Sequence, residues 1–547
     1  MQIIDLNLRN WMILITIVGI LSSVLFLFFK SKKSILKSSI ALLYFALCAF
    51  LYFRIGNLKF TLLYIALPSF LIGVIIHLLL KPRQTNPVWD IEFQTNKGIK
   101  ILRGVQRGVA IFGAAGSGKT ISVIYTLIKH FAAQKFSGII YDFKDGELTE
   151  LAVPAFGDKL QVIAIHKPEI GYRINPIDPH FLNGEKDVNE IVTVIMDNLI
   201  NSGVGKGDDF FKDSASSLLS SVILKFSFKH PQYCTLPHII SFILSVDFSI
   251  KAESIIAGTE DLENKFGKLK NFLTDNERVA IQGSAFIMGL SSERQTASVI
   301  STLANALRKI SFPEAFWALS GNEISFDINS EKNRTVLSII NEPKSSRFLS
   351  PINATIIHAI TKQMMVRERE PSFLLLDEAP TIKLLNMAQI PATMRSFGVA
   401  VIYCAQDIVQ GTVQYGKEGF KEIIANLSTQ FFGKSNDPDT SKFYESFFEL
   451  VKQQTKSVST KGMVSLFSTG ETSTTIGEKE VSKFRASKFN ALKVGEFAFL
   501  SDGNTDIVKF KTTKIQKGKI PIRKKITQEM LERNFNKIIQ EAKLLID

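Results

Sequence analysis

Along the first eighty residues the apolar positions run on without alternation. Trp11–Phe29 is nineteen residues without a charge and Phe60–Leu80 is twenty-one. A helix that crosses a hydrocarbon core needs about 20 residues, so each run is long enough. Ser38–Phe53 between them is also uncharged, at sixteen residues. Charge placement decides how it is read. Lys30, Lys32, Lys33 and Lys37 crowd the first connection, Arg54 and Lys59 lie in the second, and Lys81 and Arg83 follow the last run. The positive-inside rule puts the first connection and the long C-terminal part together in the cytoplasm. That predicts three spans, about 11–29, 38–53 and 60–80, with the N-terminus outside. A cleaved signal peptide fits poorly, because the first ten residues are not net positive and more apolar segments follow.

From about residue 84 the pattern changes to short apolar runs separated by segments of helical spacing. Val109–Phe112, Gly138–Tyr141, Leu160–Ile165, Thr335–Ile339 and Phe373–Leu376 have strand length. Such alternation predicts an α/β fold with a largely parallel sheet covered on both faces. Residues 181–325 break the rhythm, with helical spacing and few strand signals, and read as an all-helical insertion. Residues 454–480 are rich in Ser, Thr and Gly and predict a flexible loop. Lys509–Lys525 holds eight basic residues and no acidic one, and Thr527 is placed to cap a last helix. The expected organisation is a membrane anchor over 1–83, an α/β domain in two segments (84–180 and 326–512), an all-α domain over 181–325, and a basic tail and helix over 513–547.

Composition narrows the partners. The 547 residues carry 65 Lys+Arg against 51 Asp+Glu, a formal charge of +14. Such a surface suits polyanions, either nucleic acid or anionic lipid. Cys48, Cys234 and Cys404 are far apart and form neither a disulfide framework nor a metal site. Seven scattered His residues contain no H-E-x-x-H, which argues against a protein-held zinc. Cys234 and His238 read as packing residues.

The chemistry starts at "FGAAGSGKTIS". Gly113, Ala114, Ala115, Gly116, Ser117, Gly118, Lys119 and Thr120 fit G-x-x-x-x-G-K-[ST] in full. An apolar strand precedes them and a helical pattern follows, the context this phosphate-binding loop needs. Backbone N–H groups and the helix N-terminus then face the phosphates of ATP. Lys119 reaches the β- and γ-phosphates, and the Thr120 hydroxyl can ligand Mg²⁺. "FLLLDEAP" (373–380) supplies two acids at a strand end. Asp377 would hold the metal through water, and Glu378 would polarise the attacking water as a general base.

A GTPase would want an N-K-x-D guanine contact, and none occurs. "ALSGNE" (318–323) echoes an ABC signature but stands far upstream of Asp377, and reads as a helix-end turn. A RecA-like motor ATPase remains, which needs a polar sensor beside the γ-phosphate and a cation for the charge that spreads in the transition state. "MRSFGVAVIYCAQDIVQ" (394–410) offers Gln406 at a strand end and Arg395 eleven residues before it.

In order and spacing these parts resemble the conjugative coupling proteins of type IV secretion, over nearly the whole chain. "YDFKDGE" (141–147) is similar to the family's D-x-K-G-E segment, with Asp145 interrupting it. "INPID" (174–178) resembles its N-P element, Tyr415-Gly416 follows the sensor, and "LKVGEFAFL" (492–500) resembles its final strand. The family's usual anchor has two spans, against three counted here, and Gln406 is followed by Asp407 where the family commonly has Ser. The resemblance implies a RecA-like P-loop ATPase domain with an inserted all-α domain behind an inner-membrane anchor. It further implies a ring, a homo-hexamer, with the motor in the cytoplasm. Arg395 resembles the arginine presented to a neighbour's nucleotide. The implied cargo is a relaxase with its single-stranded DNA, handed to the channel of a type IV secretion system. Two other readings stay open: an FtsK-like translocase of chromosomal DNA, and an ATP-regulated receptor for secreted protein substrates.

Overall fold

The computed structural model describes residues 8–31, 34–79, 87–200, 208–256, 262–460, 472–511 and 514–545. They divide into two units, Met1–Asn86 and Pro87–Asp547.

Three helices in the first unit are long and apolar enough to cross a membrane: Arg9–Lys30, Ser34–Ile55 and Leu58–Leu79. The middle one is 22 residues rather than sixteen, because the helix takes in Ser34–Lys37 and Arg54-Ile55 at its ends. The third changes pitch. It opens as Leu58–Thr61, widens to a π-turn over Leu62–Ala66 and continues as Leu67–Leu79. Pro68 explains the turn, since it has no N–H and its ring crowds the carbonyl one turn earlier. Tyr44 Oη donates to the Ala66 carbonyl at 3.1 Å from the middle helix. Within a hydrocarbon core such a bond would satisfy a backbone group that no water reaches. Gly73 lets the third helix approach the first closely, for a Cβ there would stand 3.1 Å from Leu25 Cβ.

In the second unit, β1 (Ile91–Thr95) and β2 (Gly98–Leu102) form an antiparallel ribbon. The strands that follow are β3 (Val109–Phe112), β4 (Ser137–Asp142), β5 (Leu160–Ala164), β6 (Val336–Ile340), β7 (Ser372–Leu376), β8 (Val399–Ala405) and β9 (Thr429–Phe432). Then come β10 (Leu450–Thr460), β11 (Thr472–Ser482), β12 (Glu496–Ser501) and β13 (Asn504–Lys509). Nine of these make one sheet, in the order β13-β12-β9-β3-β8-β7-β4-β6-β5. β3 to β9 run parallel, and β12 and β13 close one edge antiparallel. Helices on both faces bury the central strands completely, which is why they read as unbroken apolar runs. Ile111, Ile140, Leu375 and Ile402 enter the core beneath the helix Tyr125–Ala133, and Phe112, Tyr141, Leu376 and Tyr403 enter the core on the other face.

Between Ala164 and Val336 the described residues form helices and no strand of the sheet, from Glu185–Leu199 to Pro313–Leu319. The "INPID" element fastens them on: Asn175 Nδ2 donates to the Cys234 carbonyl at 2.8 Å. "ALSGNE" is a helix-end turn, as expected, with Arg173 donating to the carbonyls of Trp317 and Ser320. Cys234 is buried, and His238 pairs with Thr235 and Glu541.

The flexible loop expected over 454–480 is instead a β-hairpin, β10 against β11, in register from Leu450↔Ser482 to Thr460↔Thr472; residues 461–471 lie outside the described ones. Ser and Thr suggest a loop, but Thr and Val are also strand formers once a partner strand is present.

The basic run also has internal partners. Lys517 pairs with Glu150 at 2.9 Å, and Arg523 pairs with Glu323 at 3.0 Å while lying over the Tyr172 ring. Thr527 caps the last helix, Gln528–Lys543, whose apolar face packs on the helical insertion with Phe535 4.6 Å from Phe316. The tail thus straps the sheet to the insertion. Phe535→Ala should cost about 2–3 kcal/mol, in the range of large-to-small changes at packed sites. Thermal unfolding should therefore begin earlier, whereas Ile522→Ala, at a side chain 74% exposed, should leave the transition where it is.

Candidate functional site

β3 ends at Phe112, and the chain turns through Gly113–Gly118 into a helix that opens as a π-turn, Thr120–Ile124, and continues as Tyr125–Ala133. Gly116 and Gly118 have φ of 75° and 93°, left-handed values that favour glycine. A Cβ on Gly118 would also stand 3.0 Å from the Gly495 nitrogen. The loop is fixed at both ends. Ala114 N–H donates to the Lys434 carbonyl at 2.7 Å, and Gly495 N–H donates to the Ser117 carbonyl at 2.9 Å. Among the described residues nothing accepts from the N–H groups of Ala115, Gly116 and Gly118. With the helix N-terminus behind them they form an anion cradle.

Register brings the other groups to this loop. Phe112 pairs with Ala405, and Leu376 with Tyr403, so β8 lies between β3 and β7; β3 and β8 end level, and β7 ends two residues short of them, which sets Glu378 beside Ala405. Gly113, Gln406 and Asp377 are the next residues on each. Strands lie about 4.8 Å apart, so the loop and the acids are about 10 Å apart with Gln406 between them. Gln406 Nε2 donates to Glu378 Oε1 at 2.9 Å. Lys119 Nζ is 3.9 Å from the same oxygen and donates to the Gly113 carbonyl at 2.5 Å. Glu378 has φ 48° and ψ 51°, a strained left-handed turn of the kind found at functional sites. It is secured behind by Thr381, whose Oγ1 donates to the Glu378 carbonyl at 2.7 Å.

The acids are out of water. Asp377 is 2% exposed and Glu378 1%. Burial pushes the Asp377 carboxyl up to about 7, with Lys144 opposing the rise and Glu378 and Asp142 adding to it. Burial also raises Asp142, against hydrogen bonds from Thr149, and lowers the Lys119 ammonium, with Glu378 opposing. Two buried atoms here have no hydrogen-bond partner among the described residues, Ser117 Oγ and Glu378 Oε2. Buried polar atoms are normally satisfied. Free loop N–H groups, a hydroxyl at Thr120, the buried carboxyl of Asp377 and an unspent carboxylate oxygen of Glu378 therefore fit a Mg²⁺-bound nucleoside triphosphate.

A family model described as type IV secretory system conjugative DNA transfer matches residues 74–481. The chain belongs to that family. Comparison with curated proteins finds no match. Among solved structures, the bacterial conjugative coupling protein TrwB lacking its N-terminal part, in its unbound monoclinic form, aligns at TM-score 0.56 and 12% identity, covering 82% of this chain and 94% of that one. TrwB with the ATP analogue ADPNP aligns at 0.56 and 14%, covering 77% and 89%. TrwB with ADP and Mg²⁺ aligns at 0.51 and 14%, covering 78% and 87%. At these identities the likeness is one of fold, and it agrees with the α/β class read from the sequence.

In this member of the conjugative DNA transfer family Lys119, Asp377, Glu378 and Gln406 come together at one end of the sheet, with Gly113–Gly118 and Thr120 beside them. Arg395 does not join them. It ends the short helix Ile390–Arg395 ahead of β8 and is exposed. The seven residues of β8 separate it from Gln406, about 20 Å at 3.3 Å per residue. Arg395 therefore cannot serve its own chain's site. Three residues here carry sequence signals too slight to single them out. Lys144 sits 3.8 Å from Glu378 Oε1, within the D-x-K-G-E-like segment. Val494-Gly495 backs the loop from "LKVGEFAFL". Asp145, the residue interrupting that first segment, is bound by His166 and Lys167 at 2.7 Å each.

The raised Asp377 pKa has a definite sign for stability. A carboxyl whose folded value lies above its ordinary 3.8 contributes stability at low pH that is lost as pH rises through the folded value. In nucleotide-free protein, Asp377→Asn should therefore raise the unfolding temperature relative to wild type. The advantage should grow between pH 3.8 and about 7 and level off above. Paired thermal melts across that range check it; an advantage independent of pH would mean that the residue is not titrating there.

Proposed function

We propose that this protein is a membrane-anchored coupling ATPase, which uses ATP hydrolysis to drive conjugative DNA transfer. The reading rests on one observation above all: a buried carboxylate, Glu378, held by Gln406 and flanked by lysines next to a phosphate cradle. ATP is the substrate. Lys119 would leave the Gly113 carbonyl for the β- and γ-phosphates, while Ser117, Thr120 and the free loop N–H groups take phosphate oxygens and the metal's first contact. Mg²⁺, when bound, neutralises charge developing on the phosphates, and Asp377 and Thr120 are the residues to hold it. Glu378 accepts a proton from the attacking water, and Gln406 orients that carboxylate and reports on the γ-phosphate.

The position of Arg395 points to oligomerisation. Arg395 is exposed and remote from its own site, so it acts, in this reading, on a neighbouring copy in a ring, a hexamer by family resemblance. The three apolar helices fix the ring in the inner membrane with the motor in the cytoplasm. Relaxase and single-stranded DNA are the cargo, held through phosphates rather than bases, and the secretion channel is the destination.

The purified full chain in detergent should hydrolyse ATP faster when single-stranded DNA is added. Lys119→Ala should abolish turnover and transfer while leaving membrane insertion intact. Nucleotide binding without turnover at any DNA concentration would favour the receptor reading. Arg395→Ala alone should be inactive but regain turnover when mixed with Glu378→Gln, since mixed interfaces can pair an intact arginine with an intact base. No recovery at any mixing ratio would remove the shared site.

A further inference from the structure

The site as read uses Lys119, Asp377, Glu378, Gln406 and Arg395, and gives no task to Lys144, a cation at the same strand ends. Lys144 lies two residues past β4, the strand that pairs with β7 on the side away from β8. Its Nζ is 3.8 Å from Glu378 Oε1, and Lys119 Nζ is 3.9 Å from that same oxygen on the loop side. The carboxylate is thus bracketed by two ammonium groups. Their situations differ: the Lys119 side chain is 5% exposed and the Lys144 side chain 34%.

Nucleotide binding breaks this symmetry. Lys119 is already bonded to a loop carbonyl, and phosphates in the cradle offer it several negative charges at hydrogen-bonding range. When it turns to them, Glu378 keeps Gln406, a neutral amide, and Lys144. A carboxylate this deeply buried is costly without a cation, and two further buried acids, Asp142 and Asp377, stand at the ends of β4 and β7. Lys144 interacts favourably with both Asp377 and Glu378, which outweigh its own burial and hold its ammonium above the ordinary lysine range.

We propose that Lys144 is a positioning residue: it takes over the Glu378 carboxylate when Lys119 engages phosphate, and so keeps the base aimed through turnover. This rests on the hydrolytic reading of the site. Lys144 is predicted to act on the rate and not on nucleotide affinity.

The test uses the full chain in detergent, with a fluorescent ATP analogue for affinity and phosphate release for rate. Lys144→Met should lower kcat by about 10–100-fold, at or below the low end of what a positioned base supplies. Nucleotide Kd should stay within about threefold, while Lys144→Arg, which keeps the charge, recovers most of the rate. In a Glu378→Gln background the added Lys144→Met should change the residual rate by less than about threefold, because the two act as one unit. Wild-type turnover in Lys144→Met would overturn the inference. So would an equal loss of nucleotide affinity, or full additivity with Glu378→Gln. Full activity in Glu378→Gln alone would instead sink the hydrolytic reading, and this role with it.

Discussion

Keeping ionised groups out of water at the carboxyl ends of parallel strands is the constraint on which this molecule turns. Glu378 is 1% exposed, and its charge is tolerable only because Gln406, Lys119 and Lys144 reach one of its oxygens from three different elements. Each partner depends on a separate structural fact. Gln406 is there because β8 separates β3 from β7, Lys119 because the glycines of the loop turn left-handed, and Lys144 because β4 pairs with the far side of β7. A buried ion pair is weak as a source of stability but costly to break. The network therefore constrains geometry more than it adds to stability, and a phosphate that draws Lys119 away must be felt at Glu378.

What lies beyond Glu378 ties that event to the helical insertion. The segment after Glu378 is tied down on both sides. Tyr141 Oη and Thr381 Oγ1 are 2.9 Å apart, and Tyr415 Oη donates to the Ile382 carbonyl at 3.1 Å. Lys383 then exchanges two hydrogen bonds with Asn198, N–H to Oδ1 at 2.9 Å and Nδ2 to carbonyl at 2.8 Å, and its ammonium pairs with Asp197 at 3.1 Å. Asn198 and Asp197 belong to the first helix of the insertion, Glu185–Leu199. Five residues of chain thus join Glu378 to that helix. The insertion is held again by the C-terminal strap, whose basic residues spend part of their charge on Glu150 and Glu323.

Much of this was legible in advance, for local reasons. A phosphate loop is written in contiguous residues whose glycines and lysine are needed where they stand, so Gly113–Thr120 needs no tertiary information. Asp377-Glu378 was legible because four apolar residues before two acids mark a buried strand with a polar end. The three long apolar helices follow from length and charge placement, though the ends of the middle one depend on how far a helix continues past its apolar run. The hairpin over Leu450–Ser482 was not legible: a Ser- and Thr-rich segment becomes a strand only once paired, and pairing is a non-local event. The strap was not legible either, since a run of lysines reads alike whether it meets acids, lipid or DNA.

The sequence by itself determined the element types outside that hairpin, the anion cradle and the two acids, because each is encoded by neighbours along the chain. Only the tertiary structure decided that β8 stands between β3 and β7, that Lys144 joins Lys119 on one carboxylate, and that Arg395 lies at the opposite end of the sheet from Gln406. The physical reason is strand pairing. It joins residues tens to hundreds of positions apart through backbone hydrogen bonds that carry no side-chain signature, and which strand becomes whose neighbour is settled by packing.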